Sequence, residues 1–420
     1  MVKRTAIVLG GTIPHIHLIE ILKKRGFYTI LLDYTANPPA ARVADEHLLV
    51  STLDKDAVLD VAVHRNADLV ISTNIDQANV TCCYVAEKLC LTKPYTYETA
   101  LDVTDKQRMK RIMCEHNIPT SKYVRVHTIN DIVDIDLKYP LMLKPADSNS
   151  ANGVRRVYSE TELISELPNV LSYSRNGSAI VEEYISGKEI SAYGVVVNGK
   201  AKLIMHQERL SVYDGEESVI KCFASLAPSR ISIETENKAE RILSQIADAF
   251  HLDNTPLFFQ GIVNGNDISV IEFAPRVGGG ISFFTILDAT GYDMISAAVD
   301  SFLNVPISID NWHPMKEKYA VNQVYGSDGV FFCAEGVDSL LSRGIVSTLS
   351  FYKHQGDIID SSRASSSRIC VMVVKDKTEI GLRNRISNAF SELDFFDEKG
   401  SSIIRRDLNL DRLWDSTCSN

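Results

Sequence analysis

The sequence predicts a mixed α/β protein in three parts: an α/β domain with a small parallel sheet over residues 1–103, an α+β block over 104–310, and a smaller strand-rich domain over 311–420. Three observations lead there. The N-terminal hundred residues alternate short apolar runs with helical stretches, the middle block is rich in strands suited to antiparallel pairing, and the pattern changes again after about residue 310. The length of 420 residues fits about three domains at roughly 150 residues each.

The elements follow in order. TAIVL (5–9) reads as a strand, Gly10-Gly11 as its turn, and PHIHLIEILKKRG as a helix with Pro14 near its start and Gly26 at its end. YTILLDY, HLLV and DLVIST are further strands, separated by the helix DKDAVLDVAVHRN and followed by one from about Ala78 to Leu89. Asp33, closing the second strand, would suit a ribose hydroxyl, but GGTIPH is not G-x-G-x-x-G, so no nicotinamide dinucleotide is expected. His15 and His17, two apart at a helix start, face different ways and do not suggest a metal pair. Turn residues before Asp105 form a linker, and DKQRMKRIMCEHN is a helix with its basic residues in the early turns. NKAERILSQIADAFHL is an amphipathic helix, and LFFQGIVNGNDISVIEFAPR a hairpin closed by a two-residue turn in NGND. Past residue 310, DSSRASSSR reads as a loop and GLRNRISNAFSEL as a helix.

Composition narrows the function classes. A net charge of −10 and a pI near 5.5 argue against nucleic acid or an anionic membrane as partner. Eight scattered cysteines without a CxxC pair read as buried free thiols in a reducing compartment. The N-terminal apolar run is too short for a signal peptide, and no run approaches the ~20 apolar residues of a membrane span, so a cytoplasmic protein is expected.

The middle block presents the parts of a nucleoside triphosphate site. Lys106 and Lys144 are two cations, the second on a strand ending at Pro145 that opens a small-residue loop, Asp147 to Gly153. Such a loop offers backbone amides to phosphate oxygens, with Ser148, Ser150 and Asn152 adding side-chain donors and Gly153 closing it. In VEEYISGKE the extended segment Val181–Ile185 can pair its backbone with an adenine edge, and Glu189 can take ribose hydroxyls. VIEFAPRVGGG then places an acid, Glu272, a cation, Arg276, and three glycines within one short segment, the residue types a metal, a phosphate and a backbone cradle require.

In this order the motifs resemble the ATP-grasp superfamily, over almost the whole chain: a Rossmann-like (pre-ATP-grasp) domain, DK before a helix, PLMLKP, a phosphate loop, EEYISGKE, FFQGIV, and IEFAPRVGGG followed by TGYD. The likeness is to carboxylate-amine ligases, including L-amino-acid-ligase-like members, and to biotin carboxylase-like and carbamoyl-phosphate-synthetase-like members. It implies an ATP-grasp domain over 104–310 with a lid subdomain at about 120–190. By the same resemblance Lys106 and Lys144 are phosphate-binding lysines, Glu182, Glu183 and Ile185 the adenine hinge, and Glu189 the ribose binder. Gln260 and Glu272 fall at the two positions for Mg2+ or Mn2+, and Arg276 on the phosphate or acyl-phosphate arginine.

The implied reaction turns a carboxylate into an acyl phosphate with ATP and couples it to an amine, with Lys144, Arg276 and Gly279 in catalytic positions. Gly278, Gly279 and Gly280 would let backbone amides approach the acyl oxygen, and Arg368 in SSSRIC is a carboxylate candidate. Small-molecule acid and amine substrates follow, and family habit suggests a homodimer. Two positions depart from the pattern: Gln260 stands for the usual Glu and Ala274 for the usual Asn, which lowers the charge available to a metal. That departure keeps a non-catalytic ATP-binding module as an alternative, beside an enzyme activating bicarbonate or formate.

Overall fold

The computed structural model describes residues 4–133, 135–147, 153–214, 219–362 and 364–418. Strands β1 (Arg4–Leu9), β2 (Phe27–Leu32), β3 (Glu46–Leu48) and β4 (Leu69–Ile71) form a parallel sheet ordered β3-β2-β1-β4. Helix α1 (Ile13–Lys24) joins β1 to β2, α2 (Lys55–His64) joins β3 to β4, and α3 (Asp76–Lys88) follows β4. Ile7 to Leu9, Ile30 to Leu32 and Leu69 to Ile71 are essentially inaccessible to solvent, which is why these strands read as continuous apolar runs rather than alternating ones.

Asp33 is used differently from the ribose role its position suggests. Its carboxylate accepts from the Gly11 amide at 2.7 Å and the Thr35 amide at 2.8 Å, so it locks the turn after β1. A Cβ on Gly11 would lie 2.4 Å from Pro38, so this glycine answers to packing against the chain itself. The two histidines do part ways. His15 is fully buried against Thr12, its pKa lowered to about 4 by burial, while His17 reaches out of the domain to Asp293 at 3.0 Å.

After α4 (Tyr97–Asp102) and α5 (Lys106–Glu115), β5 (Tyr123–Val126), β6 (Leu141–Pro145), β7 (Arg155–Val157) and β8 (Ala179–Glu183) make an antiparallel sheet ordered β5-β8-β6-β7, packed on α6 (Glu160–Ser172). Asp105 caps α5 by accepting from the amides of Gln107 and Arg108, which fixes where Lys106 enters the helix.

The largest sheet has eight strands. β9 (Lys188–Val197), β10 (Lys200–Asp214), β11 (Val219–Ala227), β12 (Thr255–Asn264), β13 (Asp267–Ala274), β14 (Lys318–Tyr325), β17 (Thr348–Phe351) and β19 (Arg368–Asp376) are ordered β13-β12-β9-β10-β11-β14-β19-β17. It runs without a break past residue 310, because β11 pairs with β14 from Ala224↔Asn322 to Ala227↔Tyr319. Short pairs of β15 (Gly329–Val330) with β18 (Ile358–Ile359) and β16 (Cys333–Glu335) with β20 (Asp394–Phe396) complete the C-terminal part. One face of the large sheet packs on α7 (Ile233–Ala249), whose buried stripe is Ala239, Ile242, Leu243 and Ile246. The other face, near α8 (Ser282–Thr290) and α9 (Met294–Phe302), shares a core with the parallel sheet.

Two sequence expectations change here. DSSRASSSR contains a helical turn, Ala364–Ser367, with Ser367 buried, because the segment folds back to start β19. The described cysteines are all free, but Cys90, Cys114 and Cys333 are exposed rather than buried. Among the described residues no helix is long and apolar enough to cross a membrane.

Charged pairs tie α1 to α9: Arg25 donates to Asp300 at 2.5 Å and to Ser296 at 2.9 Å, beside the His17–Asp293 contact. The hydrogen bond to Asp293 raises the His17 pKa above its usual value. A raised folded-state pKa contributes stability that is complete below the unfolded value and lost as pH rises through the folded one. His17→Gln is therefore expected to lower Tm at about pH 6 and much less at about pH 8.5. Differential scanning fluorimetry at both values checks this, and an equal loss at both would remove His17 protonation from the account.

Candidate active site

The site begins with a buried carboxylate shared by two lysines. Glu182 on β8 accepts from Lys144 on the neighbouring strand β6, and from Lys110 of α5 at 2.7 Å. Ser121 donates to the same carboxylate at 2.8 Å, and Lys110 also donates to Thr120 and Ser121 at 2.9 and 3.0 Å. Lys110 and Glu182 are at most 4% exposed. Burial by itself would raise the Glu182 carboxyl, but the charges of Lys144 and Lys110 and their hydrogen bonds bring it down to about 2. Two cations against one anion leave a surplus positive charge beside the exit of β6. Lys110 was missed by sequence reasoning; its signal was the spacing from Lys106, four residues along one face of α5.

The expected adenine hinge narrows. The Glu182 side chain belongs to this charge network, and the amides of Glu183 and Tyr184 are taken by the carbonyls of Lys122 and Pro140, both at 3.0 Å. Ile185 is the first hinge residue to make no hydrogen bond among the described residues. Glu189, expected at the ribose, accepts from Arg209 Nε at 2.7 Å across the β9–β10 ladder. Of the phosphate loop, Ser148, Ser150 and Asn152 lie outside the described residues. Gly153 has φ +72°, and a Cβ there would come within 2.8 Å of the Tyr173 ring.

On the large sheet Gln260 and Glu272 are direct partners across the β12–β13 hairpin, with Ser191 opposite Gln260 on the other side. Directly opposed side chains have Cβ atoms about 5 Å apart, so both can reach one ion. Neither side chain makes a hydrogen bond or ion pair with the described residues, although the Arg276 charge acts on Glu272, and this leaves their side-chain oxygens available. No cluster of three or more His, Cys, Asp or Glu suited to a metal occurs among the described residues, so the remaining ligands at this pair would have to be phosphate oxygens and water. The donor set fits a hard divalent cation on that condition. Ala274, where the resemblance expects Asn, is buried in the core against which Phe258 packs.

Arg276 is anchored more firmly than a mobile phosphate ligand. Its Nε and Nη2 donate to the two carboxylate oxygens of Asp76 at 2.5 and 2.6 Å, and its guanidinium stacks 5.0 Å from the Phe258 ring centre. The Val277 amide donates to the Thr73 carbonyl at 3.0 Å, so the glycine run is pinned against the start of α3. The three glycines have three separate reasons. A Cβ on Gly278 would lie 2.4 Å from Tyr193 and 2.7 Å from Ser282; Gly279 has nothing within 4 Å; Gly280 has φ +63°. Only Gly279 borders open space. Arg368, at the start of β19, donates Nε to the Ala364 carbonyl at 3.3 Å with its guanidinium 5.9 Å from the Tyr352 ring centre, and Tyr352 Oη lies 3.8 Å from the Cβ position of Gly280. A cleft of about 260 Å³ lies between α2, α3 and the Asp105 and Asp147 ends, but it includes none of Lys144, Gln260, Glu272 or Arg276.

The fold is shared with known proteins. Residues 137–284 match the ATP-grasp domain family. The L-amino acid ligase of Bacillus licheniformis superposes with a TM-score of 0.79 at 17% identity, covering 94% of this chain and 99% of its own. The formate-dependent phosphoribosylglycinamide formyltransferase of Sulfurisphaera tokodaii is 24% identical over 281 residues, 64% of this chain and 68% of that protein. The multifunctional protein pyrABCN of Emericella nidulans is 22% identical over 70% of this chain, which spans only 13% of that protein. The chain carries an ATP-grasp domain and has the ATP-grasp fold.

Removing Asp76 would leave the Arg276 charge in a poorly solvated place with one main-chain partner. Asp76→Asn is expected to destabilise by about 2–3 kcal/mol in urea unfolding. A loss below about 0.5 kcal/mol would mean that the pair is no stronger than an exposed one.

Proposed function

We propose that this protein is an ATP-dependent carboxylate-amine ligase of the 1–103, 104–310, 311–420 layout, acting on small molecules in the cytoplasm. The observation that carries the reading is the Lys110–Glu182–Lys144 network, a buried assembly with one positive charge more than its carboxylate neutralises. A polyanion is its natural complement. Lys106, one turn before Lys110, and Lys144 would hold the phosphates, and the segment from Ile185 would meet the base. Gln260 and Glu272 would hold a magnesium ion, which when bound would supply neutralisation of phosphate charge.

The residues divide the remaining work. The acid, lying by Gly279, attacks the terminal phosphoryl group; an acyl phosphate forms, ADP leaves, and the amine then displaces phosphate to give the amide. Arg276 faces the same segment, and its pairing with Asp76 sets the position of the glycine run through Val277. Gly279 lets the acyl group approach the backbone where a side chain would intrude. No protein nucleophile is required.

Hydroxylamine should trap the acyl phosphate as a hydroxamate in a reaction that needs ATP, a divalent cation and Glu272, and Lys144→Met should abolish it while far-UV circular dichroism stays unchanged. ADP release that depends on bicarbonate or formate alone would favour those smaller acids. Tight ATP binding without ADP or hydroxamate across a broad acid panel would favour a binding module, the reading that Gln260 and Ala274 support.

Gln260→Glu places a second charged oxygen opposite Glu272. It is expected to lower the magnesium concentration for half-maximal ADP formation by about threefold or more. No change in that titration would mean that Gln260 does not face the metal.

A further inference from the structure

The small antiparallel sheet is tied to the large sheet at one edge by hydrogen bonds. Just before β5, the Val270 amide on β13 donates to the Pro119 carbonyl at 2.7 Å, and the Thr120 hydroxyl donates to the Val270 carbonyl at 2.8 Å. The opposite edge, β7, is held in another way. The Arg156 guanidinium on β7 packs among three tyrosine rings, 4.4 Å from the ring centre of Tyr213, 5.1 Å from that of Tyr184 and 5.2 Å from that of Tyr158. Tyr158 is two residues along the chain, Tyr184 follows β8 where the chain leaves for β9, and Tyr213 stands on β10 of the large sheet. One cation therefore spans the gap between the sheets and also grips the start of the segment that joins them.

The strand register shows which way this contact faces. Arg156 pairs with Met142 and Met142 with Glu182, so Arg156 shares a cross-strand row with the carboxylate that holds Lys144 and Lys110. Paired residues point to the same side of a sheet, and the alternate residues Leu141, Leu143 and Val157 pack on α6 at the other. Arg156 lies two strand spacings, about 10 Å, from Glu182 on that shared face. Burial raises the Tyr213 phenol above its usual range, Arg156 opposes the rise, and the Glu189 charge adds to it, so Tyr213 stands near the residue expected at the ribose. The kind of partner matters as well. The Arg156 Nε is buried without a hydrogen-bond partner, and no carboxylate pairs with the guanidinium among the described residues. Ring faces attract a cation without cancelling its charge. Tyr158, Tyr184 and Tyr213 keep 56%, 36% and 41% of their surface exposed, so these contacts belong to the weak, solvent-bathed end of their range and can be released and remade.

We infer that Arg156 is a positioning residue that latches the β7 edge of the small sheet onto Tyr213 of the large sheet and so holds the nucleotide cleft closed. This rests on nucleotide binding between the two sheets and is independent of which acid is activated. A cleft closed for only part of the time binds with an affinity reduced by the closed fraction. Loss of the latch therefore weakens nucleotide binding while Lys144, Lys110 and Glu182 keep their own contacts.

The test is calorimetric binding of a non-hydrolysable ATP analogue with magnesium to the full chain, joined to hydrogen exchange of β7 in the bound state. Arg156→Met and Tyr213→Leu are each expected to raise the Kd by about fivefold or more and to speed exchange along β7. The double variant should bind no more weakly than the poorer single one, because both changes remove the same contact. Tyr213→Phe keeps the ring and loses only the hydroxyl, so it should bind within about twofold of the unmodified protein. An unchanged Kd in Arg156→Met, losses that multiply in the double variant, or Tyr213→Phe as weak as Tyr213→Leu overturns the latch and leaves the nucleotide site standing. An unmodified protein that does not bind the analogue overturns the nucleotide site and the latch with it.

Discussion

The site depends on one buried carboxylate. Glu182 draws Lys144 from β6 and Lys110 from α5 onto the same two oxygens, so a strand of the small antiparallel sheet and the helix entering the block are held in fixed relation. Burying three charges is costly unless each is paired and hydrogen-bonded, and here Thr120 and Ser121 supply the remaining partners. The cost of loosening this network is what makes the lysines rigid. A rigid cation needs no reorganisation when a phosphate arrives, which is the condition under which electrostatic stabilisation is most effective.

A second ion pair repeats the logic at another seam of the fold. Asp76 from the parallel-sheet part and Arg276 from the large sheet meet in a two-pronged ion pair, and Val277 adds a main-chain hydrogen bond to Thr73. With His17–Asp293 and Arg25–Asp300, the N-terminal part is fixed at both ends of one seam. Charge pairs suit such a seam because their geometry is directional, whereas apolar contact alone would permit sliding. The glycine run therefore sits at a defined place between two parts of the protein, and a Cβ at Gly279 would meet nothing within 4 Å.

The large sheet sets the spacing of the proposed metal pair. Gln260 and Glu272 are opposed on one ladder, so their separation is set by the backbone and does not depend on the charge of either side chain. Ala274, two residues beyond Glu272 on the same face, packs into the core shared with the parallel sheet. The amide expected there from the resemblance would have had to be buried or turned outward.

The sequence by itself determined the order of elements and much of the site. The apolar runs of β1, β2 and β4, the helix start at Asp105, and the Gly265 hairpin are local signals, because capping, turn chemistry and periodicity act over a few residues. Lys144, Glu272 and Gly279 were candidates because of residue type and spacing, and Gln260 because of the family resemblance. What only the tertiary structure decided is who faces whom. Glu182 reads as part of a strand edge yet closes on two lysines 38 and 72 positions away, and Asp76 meets Arg276 across 200 residues. The reach of β11 to β14 is equally invisible in a linear pattern. Charge pairing and burial are properties of distance in space, and chain separation places almost no limit on which residues a fold brings within 3 Å.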